Sequence, residues 1–488
     1  MKTGSSFKIF LICLMAALAG LVFGIDIGVI AQAKDFIKQD LDLSDTAISW
    51  VVSSMMAGAA AGALSAGILT RRYGRKMTLL VSGLSFVLGS LGCALSGSGA
   101  MLIISRTVVG LSIGVASFTA PLYLSEVAPR NIRGTMISMY QLMITAGILA
   151  SFVINTLIRK GTYSGSAEQA GQAASDFMFS NISLGWRAMF FMTVIPSVIF
   201  LLGVLFLPRS PRWLFSVGRD QEAQKVLHGI RTTPEEAEQE AEEIRAAAAS
   251  CIGRTSGIRM FRENKNFRRT VFLGIALQLM QQLCGINIVM YFGPEIIRNA
   301  GYTSEFATNM GTIAIGLTNM LATFIAIAYI EKWGRKKILL AGYGIMTLAM
   351  GALALFIALG QSMAAIISVL VFIVAFAFSA GPVVWVLCSE IQPLAGRDFG
   401  ITCSTGANWL SNMAIAATFL PLLGCLGNSL TMALYAVCSL ISIFVIMKFV
   451  PETKGVSLEH LEKNLMQGVA LKDLGQGAPQ KAPKPKEN

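Results

Sequence analysis

Long apolar runs alternate with short polar stretches along this chain, and twelve of those runs reach the roughly 20 residues that a helix needs to cross a bilayer. They fall near 9–30, 47–70, 77–97, 100–123, 134–158, 185–207, 270–292, 306–330, 338–360, 362–388, 400–424 and 428–450. The first run imitates a secretory signal, with Lys2 and Lys8 ahead of it and Ala31-Gln32-Ala33 behind. It is too long for a signal core and carries Asp26, so it reads as a retained helix. The pattern predicts an all-α membrane protein with twelve transmembrane helices.

Composition agrees. The 488 residues are 54% hydrophobic and only 14% charged, against roughly 25% charged in an average soluble protein. That is too little charge to cover a water-soluble globule of this size. The net charge of +12 comes from short basic clusters between apolar runs, not from one stripe with interleaved aromatics, so no nucleic-acid partner is expected. Seven of the eight cysteines lie in apolar runs and none forms a CxxC, so neither a disulfide frame nor a zinc site is expected. No nucleophile set, metal set or phosphate loop stands out, which argues against an enzyme and against a cofactor.

The positions of the basic residues set the orientation. With the N-terminus in the cytoplasm, inside segments hold 32 of the 39 Lys and Arg, including Arg71, Arg72, Arg75, Lys76 and Arg335. Lys34, Lys38, Arg159, Lys160, Arg187 and Arg298 fall outside, and Arg106 lies within a span. The positive-inside rule then places both termini in the cytoplasm. Four parts are expected: a six-helix bundle over 1–207, a cytoplasmic linker with short helices over 208–269, a second bundle over 270–450, and a tail over 451–488. Within the linker the acidic run Pro234 to Arg245 reads as helical. The Gly/Ser/Ala/Gln-rich stretch 159–183 reads as a flexible loop and the end beyond Gln476 as disordered.

The halves repeat each other. Gly74-Arg75-Lys76 recurs as Gly334-Arg335-Lys336, and Gly24-Ile25-Asp26-Ile27 as Gly285-Ile286-Asn287-Ile288. Ser125-Glu126, Pro129 and Arg133 recur as Ser389-Glu390, Pro393 and Arg397. Three matches at nearly one offset indicate a parallel duplication, which places a substrate site between the halves near mid-membrane, with access alternating by rocking. A channel or a purely structural bundle is the other reading. Opposite charges at the helix ends (Arg75, Glu126 and Arg133, then Arg335, Glu390 and Arg397) are read as a cytoplasmic latch between the halves, against a role in membrane anchoring alone.

Asp26 and Arg106 are the ionisable residues clearly inside spans, a costly placement unless paired or functional. At about 1.5 Å per residue both sit about 6–9 Å deep from the outer face, within reach of each other. Dry surroundings favour a neutral carboxyl and a guanidinium favours an ionised one, so opening and closing the pair would load and unload a proton. A static ion pair is the alternative. The position equivalent to Asp26 in the second half is the neutral Asn287. Gln141, Gln278, Gln281, Gln282, Asn287, Asn319 and Asn408, together with Trp385, also lie within spans. Amides are costly in lipid and belong in the bundle interior, as a binding site or as interhelical glue.

Arg72-Tyr73-Gly74-Arg75-Lys76, Pro208-Arg209-Ser210-Pro211-Arg212, Pro451-Glu452-Thr453-Lys454, Gln281-Gln282 and Gly381-Pro382 resemble the motifs of the sugar porters of the major facilitator superfamily. The resemblance extends over residues 7–470. It departs at Arg209, where the family usually has an acid, and at Arg71, where the loop motif often has Asp. It implies two pseudo-symmetric six-helix bundles and a proton-coupled symporter of a bacterial inner membrane, importing a monosaccharide, a hexose such as D-galactose or D-glucose. By the same resemblance the partners are sugar, proton and lipid bilayer, and the protein is a monomer. The resemblance assigns Gln141, Gln281, Gln282, Asn287, Asn319 and Asn408 to sugar hydroxyls and Trp385 to stacking on the sugar. Phe23 and Gly381 would line the pocket, Tyr291 would form part of an external gate, and Pro382 with Gly381 would break the tenth helix so that its outer half can move. Proton-coupled members carry Asp at the position of Asp26. A facilitative uniporter with an idle Asp26, or a non-transporting sugar sensor, are the competing readings.

Overall fold

The computed structural model describes residues 3–129, 132–164, 174–231, 233–251, 257–291, 305–393, 396–456 and 458–477. In lipid the backbone must satisfy its own hydrogen bonds, and the described spans do so as helices. The first half comprises α1 (Thr3–Asp40), α2 (Asp45–Ala94), α3 (Gly99–Val127), α4 (Arg133–Ser164) and α5 (Ala174–Leu205). Four short helices follow on the linker: α6 (Pro211–Ser216), α7 (Asp220–Ile230), α8 (Pro234–Cys251) and α9 (Gly257–Glu263). The second half comprises α10 (Lys265–Leu283), α11 (Ile286–Tyr291), α12 (Glu305–Trp333), α13 (Arg335–Ala358), α14 (Ser362–Phe378), α15 (Ala380–Glu390) and α16 (Arg397–Phe449). The tail adds α17 (Leu458–Met466).

Twelve spans emerge because two of these helices are double. α2 is interrupted at Gly74, where φ is 81°, and α16 at Gly427, where φ is 75°. Gly74 has its counterpart in Gly334, φ 87°, which separates α12 from α13. The sequence repeat at these two glycines is thus a repeat of conformation, one that a Cβ would strain. The Gly24/Gly285 repeat behaves otherwise. α1 runs unbroken through Gly24, whereas Gly285, with φ 94°, separates α10 from α11. The acidic run from Pro234 is helical, as α8. The stretch expected to be an irregular loop is partly helix, since α4 extends to Ser164 and α5 begins at Ala174. Residues 165–173 and the tail end beyond 477 lie outside the described residues.

Packing inside the first half is backbone to backbone. A Cβ on Gly110 or Gly114 of α3 would collide with the carbonyls of Met55 and Ala59 on α2, the close approach that small residues allow between membrane helices. The outer faces carry exposed Leu64, Ile68, Leu88, Ile104, Phe191 and Leu348, as a lipid-facing surface requires. Polar side chains, Asp26 and Arg106 among them, are turned inward and buried. One end of the bundle carries Arg75 and Arg335 and is called the basic end below.

Candidate functional site

The charges within the spans meet. Asp26 of α1 and Arg106 of α3 are 2% and 0% exposed. The Arg106 Nη1 donates to Asp26 Oδ1 at 3.3 Å, and its Nε donates to the carbonyl of Val51 on α2 at 2.8 Å. Its guanidinium lies 5.9 Å from the centre of the Phe190 ring. The pair is incomplete: Asp26 Oδ2 and Arg106 Nη2 are buried without a hydrogen-bond partner among the described residues. Two charges taken out of water are compensated only when their remaining lone pairs and protons are satisfied too. Among the described residues the contact runs through one carboxylate oxygen, and the other stays open.

The amides gather around the break between α14 and α15. Ser379 is non-helical there (φ −123°, ψ −89°), and Pro382 falls in the first turn of α15, where a missing N–H costs nothing. Gln281 of α10 donates from Nε2 to the carbonyls of Ala380 (2.8 Å) and Gly381 (3.2 Å). Its Oε1 accepts from Asn408 Nδ2 on α16 at 2.8 Å, and the same Nδ2 reaches Gln278 Oε1 at 2.6 Å. Gly285 turns the chain so that Asn287 donates to Gln282 Oε1. Gln141 of the first half faces this cluster: a Cβ added to Gly381 would lie 3.6 Å from its Cδ. Asn319 on α12 is buried with its Oδ1 unpartnered among the described residues, as is Gln278 Nε2. Trp385 is half-buried one turn beyond Gly381. Tyr291 ends α11, and its side chain lies outside the described residues.

Other amides serve as glue. Asn155 donates to the Gly28 carbonyl at 3.3 Å and Gln32 to Thr156 Oγ1 at 3.3 Å, both tying α4 to α1. The sequence distinguishes neither kind of amide from the other.

Trp409 was not singled out by its sequence. It is buried, donates from Nε1 to Ser117 Oγ of α3 at 3.1 Å, and packs its ring 5.3 Å from that of Phe23. Phe23 lies three residues before Asp26 on the same helix face. Trp409 directly follows Asn408 on α16, so its ring contact with Phe23 links the helix of Asp26 to the helix of Asn408. Its only sequence signal was an aromatic beside an amide inside a span.

At the basic end the expected acid–arginine pairs form, but each within its own half. Arg75 holds Glu126 through Nε (2.9 Å) and Nη2 (2.8 Å), and Arg335 holds Glu390 at 3.0 Å. Ser210 Oγ donates to Glu126 at 2.5 Å and Thr453 Oγ1 to Glu390 at 2.6 Å, so the two motifs that follow the bundles dock equivalently. A bond that does cross between halves at this end comes from Asp398, 3.4 Å from Arg75 Nη2 and not among the expected latch residues. Arg397 donates to the Gln392 carbonyl at 3.4 Å, and Arg133 is buried at the same end. Ala66, Phe118 and Leu122 pack against Ile401 across the seam, so the basic end is closed.

The departures from the motif explain the asymmetry. In the second half Glu331 supports Arg335 at 2.9 Å. The equivalent position in the first half is Arg71, and Asp398 of the other half supplies the carboxylate instead. Glu452 accepts the backbone N–H groups of Arg335 (2.9 Å) and Lys336 (3.1 Å), an anion at a helix start. Arg209, the residue in its place in the first half, lies over Trp213, and that indole covers Gly74.

Comparison with known proteins agrees with this architecture. The family model described as "Sugar (and other) transporter" matches residues 12–465. The galactose-proton symporter of Escherichia coli is 48% identical over 97% of this chain and 98% of its own. The arabinose-proton symporter of the same organism is 46% identical over 94% of each. Among solved structures, the proton:xylose symporter XylE of E. coli bound to 6-bromo-6-deoxy-D-glucose superposes with a TM-score of 0.82 at 29% identity, covering 96% of this chain and 99% of that one. The chain is a multi-pass membrane protein of the major facilitator fold and belongs to the sugar transporter family.

Proposed function

We propose that this protein imports a monosaccharide, a hexose such as D-galactose or D-glucose, together with a proton by alternating access, across a bacterial inner membrane and with its basic end and both termini in the cytoplasm. Its similarity to two proton symporters of sugars supports the reaction class. The observation that carries the proton role is the half-satisfied pair of Asp26 and Arg106. In this reading Asp26 binds the proton on its open oxygen and loosens from Arg106. Phe23 and Trp409 pass that change to the amides of Gln281, Gln282, Asn287 and Asn408, which with Gln141, Asn319 and Trp385 hold the sugar. Arg75, Arg335, Glu126, Glu390 and Asp398 hold the basic end shut until loading is complete. One proton moved through 100 mV is worth about 2.3 kcal/mol, enough for roughly fifty-fold accumulation of sugar.

The test is the pH of a lightly buffered suspension of cells expressing the protein, followed as galactose, glucose, arabinose or xylose is added. Alkalinisation with one sugar is expected. In Asp26→Asn that signal should vanish while sugar counterflow persists. Sugar entry without a pH change in the unaltered protein would make it a uniporter.

A further inference from the structure

A cleft at the basic end lies away from the amides. Its cavity of about 400 Å³ is bounded by the start of α1, the end of α5 and one side of α7. Its floor is apolar and tight, since Met15 of α1 packs directly on Gly203 of α5. Its rim is apolar as well: Leu11 is exposed and Phe206, just past the end of α5, is 85% exposed. Two lysines stand at the top, Lys8 on α1 and Lys225 on α7. Lys8 reaches across to α7, its Nζ 3.7 Å from where a Cβ on Gly229 would sit. Both lysines are exposed, and among the described residues neither forms an ion pair or hydrogen bond. The carboxylates of α7 are engaged elsewhere, Asp220 with Arg245 (3.8 Å) and Glu222 with Arg209 (4.0 Å) and Arg219. Two cations with no counter-ion among the described residues therefore overhang an oily cleft, beside the end of the apolar span Ile182–Leu205 of α5.

We propose that this cleft is a binding site for an anionic phospholipid of the leaflet at the basic end. Lys8 and Lys225 clamp the phosphate, and one acyl chain lies along Leu11, Met15 and Phe206. A small soluble anion would satisfy the lysines and leave the apolar walls wet; a neutral lipid would cover the walls and leave the lysines without a counter-ion. Only an anionic amphiphile answers both, and basic residues at the membrane surface recognise such headgroups. The bound lipid bridges α1 to α7 and so ties the start of the helix that carries Asp26 to the linker helices.

The experiment is native mass spectrometry of the full chain in detergent, titrated with phosphatidylglycerol and with phosphatidylcholine of the same acyl chains. Phosphatidylglycerol is expected to bind preferentially and to withstand excess inorganic phosphate. The double variant K8Q/K225Q should bind it about thirtyfold more weakly, and F206A should bind it more weakly too. K337Q/K463Q, which removes two exposed lysines elsewhere on the same end, should bind as the unaltered protein does. Equal binding of the two lipids, an equal loss in K337Q/K463Q, undiminished binding in F206A, or displacement by phosphate would each overturn the proposal. All four altered lysines and Phe206 are exposed, and circular dichroism of each variant verifies its helix content.

Discussion

Asn408 donates to the carbonyl oxygens of two glutamines at once, so its amide ties α10 to α16 at the centre of the polar cluster. Replacing it by alanine leaves two buried acceptors short of a donor, a loss of about 1–3 kcal/mol. On the sugar-site reading, Asn408→Ala weakens sugar binding roughly tenfold to a hundredfold, measured by calorimetry on the purified protein. Asn155→Ala is the comparison: among the described residues its amide bonds α4 and α1 alone, so it should lower the melting temperature and leave sugar affinity unchanged. At this scale the sequence was legible wherever chemistry was rare. A carboxylate and a guanidinium inside apolar runs are conspicuous, and so is a pair of glutamines one turn from a third. Asp398 was not legible, because it follows Arg397 in a polar turn and looks like any solvated acid. Only the packing of one half on the other brings it to Arg75.

Helices as units show what a repeat can and cannot foretell. Gly74 and Gly334 adopt the same positive φ because the same loop follows the second span of each half. Gly24 and Gly285 share sequence neighbours but not conformation, since α1 continues where α10 stops. The break of the tenth span falls at Ser379, two residues before the expected Gly381-Pro382, because a proline is comfortable in the first turn of the helix that restarts. The crossing bond between Asp398 and Arg75 predicts that Asp398→Asn loosens the closed end. Asp398 is partly exposed, so the effect is about 1 kcal/mol, read as faster hydrogen exchange over residues 396–402 in the variant. A second element-level prediction concerns α8. Burial alone would raise the Glu240 carboxyl, but hydrogen bonding and charge from Arg231, with Arg212 and Arg133 nearby, hold it below the ordinary glutamate range. Arg231 in turn donates to the Val127 carbonyl at the end of α3 at 2.9 Å. A carboxyl lowered on folding stabilises above its unfolded pKa, and the contribution is lost as pH falls through the lowered folded value. Glu240→Gln should therefore cost on the order of 3 kcal/mol at neutral pH. Thermal unfolding from pH 7 downward should show the gap between the two proteins narrowing below the ordinary glutamate range.

The molecule as a whole was the most legible level. Twelve apolar runs, a basic excess on one side and a sequence offset near 260 residues specify a duplicated helical bundle, because lipid permits few other solutions. The contacts across its seam were not, since an offset relates each half to itself and is silent on how the two face each other. One consequence for the whole carrier follows from the second bond of Arg106. Its Nε is held by the Val51 carbonyl, so the guanidinium stays with α2 and α3 when Asp26 takes up a proton. The empty carrier then holds a balanced plus and minus at this point, and the loaded carrier a single plus. In a symport cycle built on this pair, the return of the empty form is electrically silent, and the electric field works only on the half-cycle that brings sugar in.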